Sequence, residues 1–123
     1  MFHFLRGIAL VAAMMLGCGA VLADPDRTSA NYVMSGCRTY VGNGASAETD
    51  LPLMVGMAMD MAKCGGLIEG LSYAAPICKP NYVTNDQMVR VVVKYIDDRP
   101  ARMHEDFMLL ALEALRAAWP GKN

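Results

Sequence analysis

Four cysteines, two histidines and eleven methionines supply this 123-residue chain with its sulfur and imidazole ligands and its thiol nucleophiles. His104 is followed directly by Glu105 and Asp106. Neighbouring residues on a helix point in different directions, so these three do not converge on one atom. A metal there would need ligands from elsewhere in the fold, and the expected role of His104 is an exposed or capping one. A Cys78–His104 nucleophile pair is formally open, but a reactive thiol needs an electropositive, accessible setting. Met54, Met57, Met59 and Met61 raise a third possibility, because thioethers suit Cu(I). Met54, Met57 and Met61 fall on one helical face and Met59 off it. Methionine is also a common gap-filler, and core packing is the favoured expectation. The chain has no Gly-rich phosphate loop after a strand, no Cys-x-x-Cys-His and no paired Cys-x-x-Cys. No cofactor and no catalytic group follow from these residues.

The compartment decides how the cysteines are read. Arg6 precedes an unbroken apolar run from Gly7 to Ala23, the layout of a secretory signal. Val21-Leu22-Ala23 places small residues at the last and third-last positions, so cleavage is expected before Asp24. Residues 1–23 are then the signal and 24–123 a single domain. An uncleaved membrane anchor is the alternative, and Cys18 after Gly17 is a weaker candidate for lipidation. Nothing beyond Ala23 is expected to approach a membrane span. Without Arg6 the basic count falls from 11 to 10 against 12 acidic residues, so the exported chain carries about −2. Without a basic patch, nucleic acid is not an expected partner. Cysteines in an exported chain of this size are disulfide candidates first.

The remaining pattern is helical throughout. Tyr32, Gly36, Cys37 and Tyr40 recur at spacings of three and four and predict a helix over Thr28–Val41. Gly42–Ser46 is a loop by composition. Asp50 as cap and Pro52 in the first turn open a second helix, running to about Tyr73 before Pro76. Met54, Met57, Met61, Gly65, Ile68 and Ser72 describe its predicted core face. Gly65-Gly66 in its middle calls for a close backbone approach to offset the propensity cost. Thr84 to Gln87 resembles a capping box, and Met88, Val91, Val92, Tyr95 and Ile96 mark the face of the helix it opens. Asp97-Asp98-Arg99-Pro100 breaks that helix. Met103, Phe107, Leu110, Ala111, Ala114, Leu115 and Ala118 mark the last one, closed by Pro120-Gly121. The fold class is all-α, a small bundle of about four helices.

The order of several segments resembles a known family. Cys64-Gly65-Gly66-Leu67-Ile68-Glu69-Gly70 is similar to its cysteine-and-glycine helix motif. Cys78-Lys79-Pro80, then Val83-Thr84 and Gln87, is similar to its second landmark. Val92–Ile96, Pro100, His104, Ala111-Leu112 and Ala118-Trp119-Pro120 continue the order. Together they resemble the Rap/Tai family of periplasmic immunity proteins against type VI secretion amidase effectors, from Cys37 to Pro120. The resemblance implies a helical, often dimeric, non-enzymatic protein that occupies the cleft of a peptidoglycan amidase. The family usually ends in Trp/Phe-Pro-Cys, where this chain has Gly121.

That departure leaves Cys37, Cys64 and Cys78 after cleavage. Helices joined by a short turn at Pro100 should lie antiparallel, which puts residue 121 near Cys78. Cys64 sits about nine residues, roughly 14 Å, before its helix ends. Cys78 would have to double back to reach it within the ~7 Å a disulfide allows. A Cys37–Cys64 bridge is therefore expected, with Cys78 free or linking two chains. Asn43 in the first loop and Asp97, Asp98 and Arg99 in the turn are candidate partner contacts, although a polar turn is also simply solvated. A chaperone-like protein with a Met-rich surface, or a methionine-based copper-binding protein, are the alternative functions.

Overall fold

The computed structural model describes residues 26–42 and 50–121. The expected signal, Cys18 and Asn43 lie outside them. Four α-helices make the fold of the described residues: α1 Ala30–Tyr40, α2 Leu51–Ala74, α3 Asn85–Asp97 and α4 Phe107–Ala118, with a 3-10 turn at Pro100–Arg102 between the last two. α1 packs chiefly on α2, and α3 on α4. Phe107, Met34, Ile68, Ile96, Leu110 and Leu115 are the largest side chains wholly buried between them.

The four helices do not all start in the same way. Thr84 Oγ1 accepts the Gln87 amide at 3.2 Å and opens α3, and Asp106 Oδ1 accepts the Leu109 amide at 3.0 Å and opens α4. Ser29 spends its hydroxyl on the Asp26 carbonyl instead. The first amides of α1 are satisfied across the fold, Ala30 N–H donating to Glu105 O (2.9 Å) and Asn31 N–H to Met103 O (2.7 Å). Asp50 stands at the cap position of α2 through its backbone, without a side-chain capping bond. The expected Met103 start of the last helix is corrected to Phe107. Pro100 forces a separate 3-10 turn, and Met103 sits half-buried outside α4. On α3 the buried face is Met88, Val89, Val92, Val93 and Ile96, turned from the predicted one, with Val91 and Tyr95 only half-buried.

Helix length explains the larger correction. At 1.5 Å per residue α2 is about 36 Å long, whereas α1, α3 and α4 are each under about 20 Å. The shorter helices cannot cover it. Only Cys64, Gly65, Ile68 and Leu71 of α2 are buried, and no residue from Leu51 to Lys63 is. The methionines are therefore not core: Met54 is 49 % and Met59 68 % exposed, and Met57 and Met61 are half-buried. By length and composition α2 could also cross a membrane, contrary to the expectation that nothing beyond Ala23 approaches one. In the bundle its second half packs through Cys64, Gly65, Ile68 and Leu71. Asp60, Lys63 and Glu69 interrupt its apolar sequence, and Cys64 ties it to α1.

Cys37 and Cys64, both fully buried, form a disulfide with Cα atoms 5.2 Å apart. The approach that permits it runs past Gly36, where a Cβ would collide with the Asp60 carbonyl, lying 2.6 Å from its carbon and closer still to its oxygen. Of the glycine pair, Gly65 is the one that needs to be small. A Cβ there would meet the Tyr40 ring at 3.0 Å, and its carbonyl accepts Asn85 Nδ2 at 3.1 Å. Gly66 faces open space.

Cys78 is a free, exposed thiol, and a Cβ built on Gly121 would stand 3.4 Å from its sulfur. The end of α4 thus returns beside the segment that precedes α3. Gly121→Cys should pair with Cys78 under mild oxidation, closing a loop whose denatured-state entropy is worth up to about 4 kcal/mol. Loss of the Cys78 thiol titre and a higher melting temperature are the expected readouts. Two free thiols after oxidation would contradict the placement.

Candidate partner-binding face

The features that could act on another molecule lie on α2. At 100° per residue, Leu51, Val55, Met59, Ala62, Gly66 and Tyr73 fall within an arc of about 80°. All six are exposed, Leu51 at 69 %, Val55 at 51 % and Tyr73 at 82 %. No charge occurs between Leu51 and Met59, and only Glu69 enters the arc further along. Lys63 is drawn aside, its ammonium 4.5 Å from the Tyr32 ring centroid and 3.4 Å from the Arg27 carbonyl. The result is an apolar stripe on α2, carried by Leu51, Val55 and Met59 in its first half and by Tyr73 near its end, with Glu69 in the same arc between them. Scattered apolar residues are ordinary on a protein surface, whereas several on one helical face make a candidate interaction surface.

The turn after α3 has a different character. Asp97 accepts Arg38 Nη2 at 2.6 Å and Nε at 3.1 Å, which pins α1 to the end of α3. Asp98 accepts Lys94 Nζ at 3.0 Å. The Arg99 guanidinium lies 3.6 Å over the Tyr95 ring and donates to the Tyr95 carbonyl at 2.8 Å. All three candidate contacts in this turn are thus engaged within the chain. His104 is exposed and lines a shallow depression with Asp26, Ser29, Asn31 and Tyr32. Its surroundings do not include Cys78, which sits beside Gly121. Among the described residues, no three His, Cys, Asp or Glu side chains gather closely enough to hold a metal.

One charged cluster carries structural weight. Arg102 donates to both oxygens of Glu105 (2.8 and 2.7 Å) and of Glu113 (2.6 and 3.1 Å), and the Tyr95 hydroxyl donates to Glu113 at 3.1 Å. These bonds tie the 3-10 turn to α3 and α4. The Arg102 hydrogen bonds hold both glutamates below their ordinary value of 4.5, with Tyr95 adding to the effect at Glu113. A carboxyl lowered in the folded state stabilises above its unfolded pKa, and that contribution fades as pH falls through the folded value. The protein should therefore lose urea resistance below about pH 4.5. Glu113→Gln should lower the midpoint at pH 7 and narrow the gap between about pH 7 and about pH 3. An unchanged gap would show that other carboxylates carry the acid response.

With the geometry in view, comparison with known proteins identifies the group. The chain matches the family of Rap1a immunity proteins over residues 17–121. It belongs to that family. No curated protein and no solved structure matches it. Membership of an immunity protein family implies that the chain binds an effector protein. The periodicity of α2 discloses its apolar residues but points the Met54–Met57–Met61 face inward. The outward stripe escapes that signal because it passes through Ala62 and Gly66, which carry little hydrophobicity.

Proposed function

We propose that this protein is exported with residues 1–23 removed as a signal before Asp24, and that in the periplasm it binds and blocks a type VI secretion peptidoglycan amidase effector. Family membership supports the immunity role, and the unpartnered stripe on α2 is the observation that carries the mode of action. Leu51, Val55, Met59 and Tyr73 supply apolar anchors that are desolvated on docking, and Gly66 lets a partner backbone come close. The helix is already formed, so little ordering entropy opposes binding. The protein contributes shape and burial, and the effector's catalytic cleft is closed by occupation.

The test is inhibition. Candidate amidase effectors from the same genome, assayed on peptidoglycan, should lose activity at near-stoichiometric amounts of the exported protein. The complex should be one-to-one or two-to-two, a homodimer accounting for the second, and the protein alone should leave peptidoglycan intact. An effector that binds tightly yet remains fully active would contradict cleft occupation.

A further inference from the structure

We propose that Met54, Met57 and Met61 form a binding site for a soft monovalent cation, Cu(I) or Ag(I), on a face of α2 separate from the partner-binding stripe. The three residues lie within an arc of about 60°, with Met57 about 4.5 Å and 6 Å along the axis from its neighbours. This arc is centred well over 90° away from that of Leu51, Val55 and Met59. None of the three thioethers is consumed by the core. Met54 is 49 % exposed, and Met57 and Met61 are half-buried.

The chemistry favours one class of ligand. Between Asp50 and Asp60, residues 51–59 offer no carboxylate, imidazole or thiol, and the ligating side chains of that stretch are thioethers. Asp60 follows them on the side of α2 that meets Gly36. Neutral thioethers on flexible side chains suit a soft cation of low coordination number. The thiols that would compete for it are accounted for among the described residues. Cys37 and Cys64 are closed in their bridge, and Cys78 is removable by substitution. Thioethers carry no proton to displace, so binding should be independent of pH where imidazole and thiol sites weaken in acid.

Cu(I) and Ag(I) are titrated into the exported protein carrying Cys78→Ser, against a chromophoric chelator, at about pH 5 and about pH 7.5, a span across which imidazole and thiol ligands change protonation. One equivalent should bind with sub-micromolar affinity at both. The ε-methyl resonances of Met54, Met57 and Met61 should shift, and that of Met59 should not. Met57→Leu keeps the apolar volume, so helicity should be unchanged while affinity falls at least roughly tenfold; Met59→Leu should bind as the parent does. Three results would each overturn the site: no competition with the chelator, equal behaviour of the two leucine variants, or binding seen with Cys78 in place and lost in Cys78→Ser. Effector inhibition by Met57→Leu should be intact, so failure here and failure of the immunity role are read separately.

Discussion

Reduction of the Cys37–Cys64 bridge is expected to lower stability by about 3.5 kcal/mol, as judged from the entropy of closing a loop of its length. The two cysteines are 27 residues apart and join the longest helix to α1. That loop contains the glycine-rich connection, and without the bridge the denatured chain regains its full freedom there. Both cysteines are fully buried, so reduction also leaves two thiols in a space shaped for one bond. A domain of this size has roughly 5–15 kcal/mol in total, so the loss is a large share. Urea unfolding with and without reductant measures it, with Cys78→Ser as a control that should change nothing. A shift below about 1 kcal/mol would mean that packing alone fixes α1 on α2.

Gly36→Val should be nearly as damaging, at about 3 kcal/mol, the upper end of the usual cost of overpacking. A side chain at Gly36 meets the Asp60 backbone, which cannot rotate aside as a flexible side chain would. Helix α1 must then lift from α2 one residue before Cys37, so the variant should also form the disulfide more slowly. Gly66→Ala is the matched control, since its added methyl enters open space and alanine is the better helix former. Thermal unfolding of the two variants should move in opposite directions. Equal destabilisation by both would place the close contact elsewhere on α2.

These two positions show what the residues disclose without the structure. Helix count, the Thr84 cap and the return of residue 121 to Cys78 follow from local chemistry and chain length, and the structure places them so. The antiparallel argument that locates Gly121 uses only a short turn and two helices of similar length. Periodicity misleads on α2 for a physical reason. It reports which residues share a face and is silent on whether a neighbour is long enough to cover that face. An 11-residue α1 against a 24-residue α2 leaves the methionines outside. The start of α1 is equally hidden, because its amides are capped by carbonyls of residues 103 and 105, far away in sequence. On α4 the Pro100 break is the louder signal in sequence, while the Asp106 cap is the one that opens the helix.

The partner surface is the least legible part. Polar turns attract attention as contact sites, yet Asp97, Asp98 and Arg99 are satisfied by Arg38, Lys94 and Tyr95. The two ion pairs are exposed, and each contributes little to stability on its own. The stripe on α2 is instead defined by what does not cover it. Such a surface emerges only when every helix has been placed.

The most direct test of the account is the affinity of a Val55→Glu/Met59→Glu variant for the cognate effector, measured by calorimetry beside the parent protein. Both residues are exposed, so melting temperature and helicity should be retained. Placing two carboxylates in a desolvated apolar contact should weaken binding at least roughly thirtyfold, the loss of about 2 kcal/mol that marks a hot spot, and abolish protection against the toxin. Charge reversal at Asp97 and Asp98 should have a much smaller effect. Unchanged affinity in the folded α2 variant would contradict the assignment of this stripe as the effector-binding face.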